Sequence, residues 1–171
     1  MIINEIELPN FSENEFPKGE IKNTDPKLFF AMQDQRNILG VTMRPSPVSG
    51  ALARYKTRSE TSCHYADDIK KSTACDWFPG KDLSLTRIYF DVTYSQLWGG
   101  IGFYFDGKGF SDTHDTRIHT DLRPLGQGHS RKITLLWFVT DGKRHYPQYD
   151  GFAAVKFFEL LRENYKKWTL S

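Results

Sequence analysis

The sequence predicts a single α+β domain spanning 1–171, with helices packed on a small antiparallel sheet. Three observations point there. Three segments carry apolar residues at helical spacing, three others read as strands, and no internal repeat, low-complexity tract or linker separates them. A chain of 171 residues is long enough for one domain with a substantial core.

Asp25 and Pro26 form a cap and first-turn pair, and Leu28, Phe29, Met32, Arg36 and Leu39 share one face before Gly40, so a helix is expected over 26–39. From Val41 to about Ser62 the text turns irregular. RPSPVSG carries two prolines and a glycine, which implies a short strand leading into a long surface loop. Ser84 caps a second helix, whose apolar positions Leu85, Ile88, Tyr89 and Val92 end before Gly99 and Gly100. IGFYF at 101–105 and RIHTDLR at 117–123 read as two strands with a long tip between them. RKITLLWFVT, 131–140, is a third strand, and DGK at 141–143 is a turn. A last helix, about 151–167, starts at Asp150 and is expected to bury Phe152, Val155, Phe158 and Leu161. Trp137 and Trp168 lie in apolar periodic segments and are expected in the core or at its rim.

Lys and Arg number 23 against 21 Asp and Glu, so the chain has no acidic or basic tail and disorder is not expected except at the ends. A net charge of +2 does not argue for a nucleic-acid partner, although a slightly basic surface suits an anionic polymer such as a cell wall. The start, MIINEIELPNFSENEF, lacks the basic segment and apolar run of a signal peptide, and no stretch approaches a membrane span. Synthesis in the cytoplasm and no membrane partner are therefore expected. Cys63 and Cys75 are expected to remain thiols without a chemical role.

The chemistry concentrates in two places. Along an extended RIHTDLR, Arg117, His119, Asp121 and Arg123 share one side and Ile118 and Leu122 face the core. That polar row is either a solvated sheet face or a metal ligand standing beside a general base. SETSCHYADDIKKSTACDWFPG, 59–80, adds His64 and Asp76, twelve positions apart. With His119 these supply two imidazoles and one carboxylate, a set that matches catalytic zinc, which takes three protein ligands and keeps a fourth position for water.

NFSENEF, LFFAMQDQRNILGVTMRPSP, SCHY, ACD, GGIGFYF and RIHTDLRP follow one another in an order that resembles the zinc D-Ala-D-Ala carboxypeptidases and related peptidoglycan peptidases. That family includes phage endolysins and shares its fold with the hedgehog signalling domain. The resemblance covers roughly residues 10–140. It implies that His64, Asp76 and His119 hold Zn2+ and that the chain hydrolyses peptide stems or cross-links of bacterial peptidoglycan, as a D,D-carboxypeptidase or endopeptidase, with a metal-activated water as nucleophile. Arg44 would then stabilise the oxyanion or hold a substrate carboxylate, and Ser62 would stand at the pocket wall. Action on the wall after release through a pore, or as part of a virion, follows from the same likeness, and the chain is expected to be a monomer.

Two departures accompany it. Eleven residues separate His64 from Asp76, more than the family's usual interval, so Asp68, which also follows an alanine by two positions, competes with Asp76 as second ligand. Asp76 is preferred because Trp77 and Phe78 after it read as a buried strand. Thr116 occupies the position where many members carry an acidic residue, which leaves Asp121 as first choice for the general base and Asp115 as second. The alternative function is a binding or structural module that keeps the peptidase fold without its activity.

Overall fold

The computed structural model describes residues 1–3, 5–39, 43–57, 59–78, 84–105, 117–124 and 134–169, with side chains to residue 163 and Ile6 by backbone alone. Its first helix, α1 (Pro26–Leu39), starts where Asp25 accepts the N–H of Lys27 at 2.9 Å, and Pro26 sits at the first turn, where no N–H is required. Before it lies a two-strand ribbon, β1 (Ile2–Ile3) and β2 (Ile6–Glu7). The second helix, α2 (Leu85–Tyr94), is capped by Ser84, whose hydroxyl accepts the N–H of Arg87 at 3.2 Å. The third, α3, runs Gly151–Thr169.

A six-stranded sheet carries the rest: β3 (Arg44–Pro45), β6 (Ala74–Phe78), β7 (Gly100–Tyr104), β8 (Arg117–Asp121), β9 (Leu135–Thr140) and β10 (Lys143–His145), in the order β10-β9-β7-β8-β6-β3. A small parallel pair, β4 (Arg54–Tyr55) and β5 (Tyr65–Ala66), stands apart from it. The chain is thus an α+β fold as expected, but the main sheet is mixed rather than antiparallel. β8 turns back on β7, and its other edge is occupied by β6. The next strand must therefore take the free edge of β7, where it runs parallel to it. β9 then turns sharply through Asp141 and Gly142, with φ of 52° and 71°, into β10, the geometry of a tight hairpin.

Register divides the sheet into two faces. Trp77, Ile118, Phe103 and Phe138 are cross-strand neighbours on one, and with Cys75, Ile101 and Leu136 they join α1, α2 and α3 in the main core. Asp76, His119, Gly102 and Trp137 form the corresponding row on the other. One side of the sheet is packed by helices, and the opposite side carries Asp76 and His119 beside a small apolar cluster around Trp137.

The buried stripe of α3 differs from expectation. Leu161 faces the core as expected, but it does so with Ala153 and Phe157, while Phe152 is 91% exposed and Val155 and Phe158 are exposed as well. The helix carries two apolar stripes, and Phe157 belongs to the one that meets Phe103, Phe105, Phe138 and Tyr89. Tyr89 also meets Phe158, so it is the contacts with Phe103, Phe105 and Phe138 that decide which stripe is covered. Among the described residues, no helix is long and apolar enough to cross a membrane.

Candidate metal centre

His64 is presented by a turn. Its N–H is accepted by the Ser62 hydroxyl at 3.2 Å, and its carbonyl accepts the N–H of Arg54 at 2.7 Å, the bond that begins the β4–β5 pair. Asp76 and His119 are directly opposed on β6 and β8, so antiparallel pairing alone places both side chains on the same face. All three residues are buried.

Their donor atoms converge. His64 Nε2 lies 3.2 Å from Asp76 Oδ1 and 3.1 Å from His119 Nδ1, and His119 Nδ1 lies 2.9 Å from the same Oδ1. The outer nitrogens settle the tautomers. His64 Nδ1 is 3.3 Å from the Leu52 carbonyl and His119 Nε2 is 2.9 Å from Asp121 Oδ2, and because both partners can only accept, both outer nitrogens carry the proton. In neutral rings the inner nitrogens are then lone pairs, and three acceptors face one another in a buried space. Only a cation can reconcile them, either a proton or a metal ion. The set His64, Asp76 and His119 can hold a metal ion.

Without a metal the proton fills that role. Burial lowers the basicity of His119, but its hydrogen bonds to Asp121 and Asp76 outweigh this and raise its pKa to about 9. Burial likewise pushes the Asp76 carboxyl up, and the charge of His64 with the hydrogen bonds of both imidazoles more than reverses that, holding it well below the ordinary carboxylate range. Burial of Asp121 is outweighed in the same way by His119 and Arg123, so it too stays ionised.

Asp121, expected as the proton acceptor, is placed behind His119. Its Oδ2 takes the outer nitrogen, and the Arg123 guanidinium engages both of its oxygens, with Nε to Oδ1 at 2.7 Å. A carboxylate on the far side of the imidazole cannot reach a group held by the inner nitrogen; its position suits fixing the ring. Arg44, expected to face the substrate, is exposed at the sheet edge opposite Phe78, and its charge acts on Glu15. The arginines that meet the triad are Arg117, whose Nη1 is 3.3 Å from Asp76 Oδ2, and Arg54, whose Nη2 is 3.9 Å from it. Ser62 shapes the His64 turn, as described. Asp68 is exposed and is bonded to Tyr55 and Lys56, away from the triad, so Asp76 and not Asp68 joins the two histidines. Asp115 and Thr116 lie outside the described residues.

Several supporting groups had no signal in the sequence. Glu20 is buried and accepts three backbone N–H groups, from Gly50 at 2.5 Å and from Leu52 and Ala53 at 2.9 Å each. It therefore holds the loop whose Leu52 carbonyl orients His64. Both cysteines are free: Cys75 lies in the helix-side core, whereas Cys63 stands near Asp121 and Arg123, with burial first and the Asp121 charge second raising its thiol pKa. Trp137 is buried as expected, on the side of the sheet that carries the triad, with its ring centroid 5.2 Å from that of His119.

No protein-family model matches the chain, and no curated protein or solved structure shows significant similarity to it.

Proposed function

We propose that the chain is a zinc-dependent peptidase that hydrolyses peptide bonds of bacterial peptidoglycan. The observation that carries the metal half of this reading is the convergence of His64 Nε2, Asp76 Oδ1 and His119 Nδ1, with both outer nitrogens already bonded. Zinc bonds of about 2.0–2.1 Å in a tetrahedron give ligand-to-ligand edges of about 3.3–3.4 Å. The separations of 2.9, 3.1 and 3.2 Å are close to that, and three ligands leave the fourth position for a reacting group. Peptidoglycan as substrate, the peptidase chemistry and action at the wall, after release through a pore or from a virion, rest on the ordered motif resemblance.

A bound zinc would supply Lewis acidity, polarising a scissile carbonyl and making water acidic enough to react near neutral pH. The chain's own groups would divide the remaining work. Asp76 presents only Oδ1 to the triad because Arg117 and Arg54 attend Oδ2, which favours a single bond to the metal from this carboxylate. Those guanidiniums, beside the centre and permanently charged, would stabilise negative charge developing on a carbonyl oxygen. Asp121 holds the His119 ring.

A second reading, a metal-holding binding or structural module, is favoured by the placement of Asp121 behind His119, which removes the first-choice base from the reacting side. One experiment separates the two. Purified protein is assayed for metal by elemental analysis, and for release of new amino groups from purified cell wall before and after chelation. One zinc per chain with chelator-sensitive release supports the peptidase; one zinc with no release supports the module; no bound metal rejects both.

A further inference from the structure

Trp137 presents an unanswered hydrogen-bond donor beside the triad. Its indole Nε1 is buried and has no acceptor among the described residues. It belongs to the row Asp76, His119, Gly102, Trp137 that crosses β6, β8, β7 and β9 on the face opposite the helices. The glycine in that row makes the arrangement possible. A Cβ at Gly102 would lie 2.4–2.7 Å from indole Cε2, Nε1 and Cζ2, so the polar edge of the ring rests on the strand that separates Trp137 from His119.

An orphaned N–H is costly to keep buried, and a phenylalanine would supply an aromatic ring here without one. The surroundings specify what would satisfy it. Trp137 packs with Leu135, Val139, Tyr104 and Tyr146 in an apolar cluster on this face. Arg123 and Arg144 lie 5.1 and 5.2 Å from its ring centroid, and Arg117 lies 4.0 Å from that of Tyr104. An apolar shelf with a cationic rim and one unused N–H calls for a ligand that combines an apolar body with an electron-rich oxygen.

We infer that this shelf is a substrate-binding subsite in which the Trp137 indole N–H donates to a carbonyl-type oxygen of a short peptide, either its terminal carboxylate or an internal amide. For the identity of the peptide this rests on the proposed peptidase function; the donor and the shelf do not depend on it.

The test is an NMR titration of metal-loaded protein with N-acetyl-D-alanine and, separately, with N-acetyl-D-alanine methylamide. The Trp137 indole N–H is assigned by its through-space contacts to His119 and by its absence in Trp137→Phe. A downfield shift of that resonance, saturating with the probe and accompanied by about tenfold weaker binding to Trp137→Phe, is expected. Movement with the carboxylate probe alone identifies a chain terminus, and movement with both identifies an amide carbonyl. An indole resonance unmoved by either probe overturns the inference, whether or not cell wall is cleaved. A shifted resonance without wall cleavage keeps the subsite and removes only the peptidase.

Discussion

His64 Nε2 and His119 Nδ1 stand 3.1 Å apart, each with its other nitrogen committed to an acceptor that cannot give a proton back. Two lone pairs this close are tolerable only around a positive charge. That single contact links the fold of the β4–β5 turn to the register of β6 and β8, and it determines how the protein should respond to metal, protons and substitution.

Asp121→Asn keeps the shape of the partner of His119 but not its charge. Metal affinity should fall about 10–100-fold, the usual effect of losing such support behind a ligand. His119→Ala should abolish stoichiometric binding. Competition with a chromogenic chelator measures both, and an unchanged affinity in Asp121→Asn would show that the carboxylate does not orient the ring.

The pH dependence has a definite sign. The raised pKa of His119, about 9, gives stability that is fully present below about 6.5, the value for an unperturbed histidine, and is lost as pH rises through 9. Asp76 acts in the opposite sense: its lowered pKa gives stability that is present above about 3.9 and is lost as pH falls toward its folded value. Chelator-treated protein should therefore melt at progressively lower temperature between pH 6.5 and 9. A metal displaces the His119 proton, so the gap between loaded and stripped protein should widen over the same interval. A gap that narrows would contradict metal binding at His119.

Arg117→Met removes one of the two guanidiniums beside Asp76 Oδ2. In metal-loaded protein the bound metal should be retained, while peptide hydrolysis should fall about 10²–10³-fold if Arg117 stabilises the oxyanion. Metal loss would make its role structural instead. Elemental analysis alongside the rate assay separates these outcomes.

Glu20→Gln replaces a carboxylate that holds three backbone N–H groups. Destabilisation of about 2 kcal/mol is expected, with weaker metal binding because Leu52 no longer fixes the His64 tautomer. Urea denaturation and chelator competition should move together; a stability loss with no change in metal affinity would uncouple the loop from the site.

The two stripes of α3 respond differently to truncation. Phe157→Ala should cost about 3–5 kcal/mol and Phe152→Ala less than about 0.5 kcal/mol, since Phe157 is fully buried and Phe152 is exposed. Equal effects on the urea midpoint would place the wrong face of this helix against the core.

Much of this organisation was legible along the chain. The Asp25–Pro26 pair marks the start of α1, Ser84 caps α2, alternation in RIHTDLR assigns His119 to a face of its strand, and the apolar Trp77 and Phe78 mark the buried strand that carries Asp76. Such features depend on residues within one or two turns of each other, and hydrogen bonding and sterics act at that range. Along α3, Phe152, Val155 and Phe158 compete with Ala153 and Phe157 on equal periodic terms, so that of the positions expected in the core only Leu161 is buried. Periodicity ranks stripes by composition, whereas burial goes to the one that meets Phe103 and Phe138.

Residue types and their order suffice to nominate two imidazoles and a carboxylate as a metal set, and to delimit the strands that bear two of them. Strand pairing across dozens of residues settles the remainder: that β9 joins β7 in parallel, that Asp121 supports His119 from behind, and that Arg54 and Arg117, not Arg44, attend Asp76. The reason is that a side chain's partner depends on register, and register is a property of the whole sheet, chosen by which faces the core can bury.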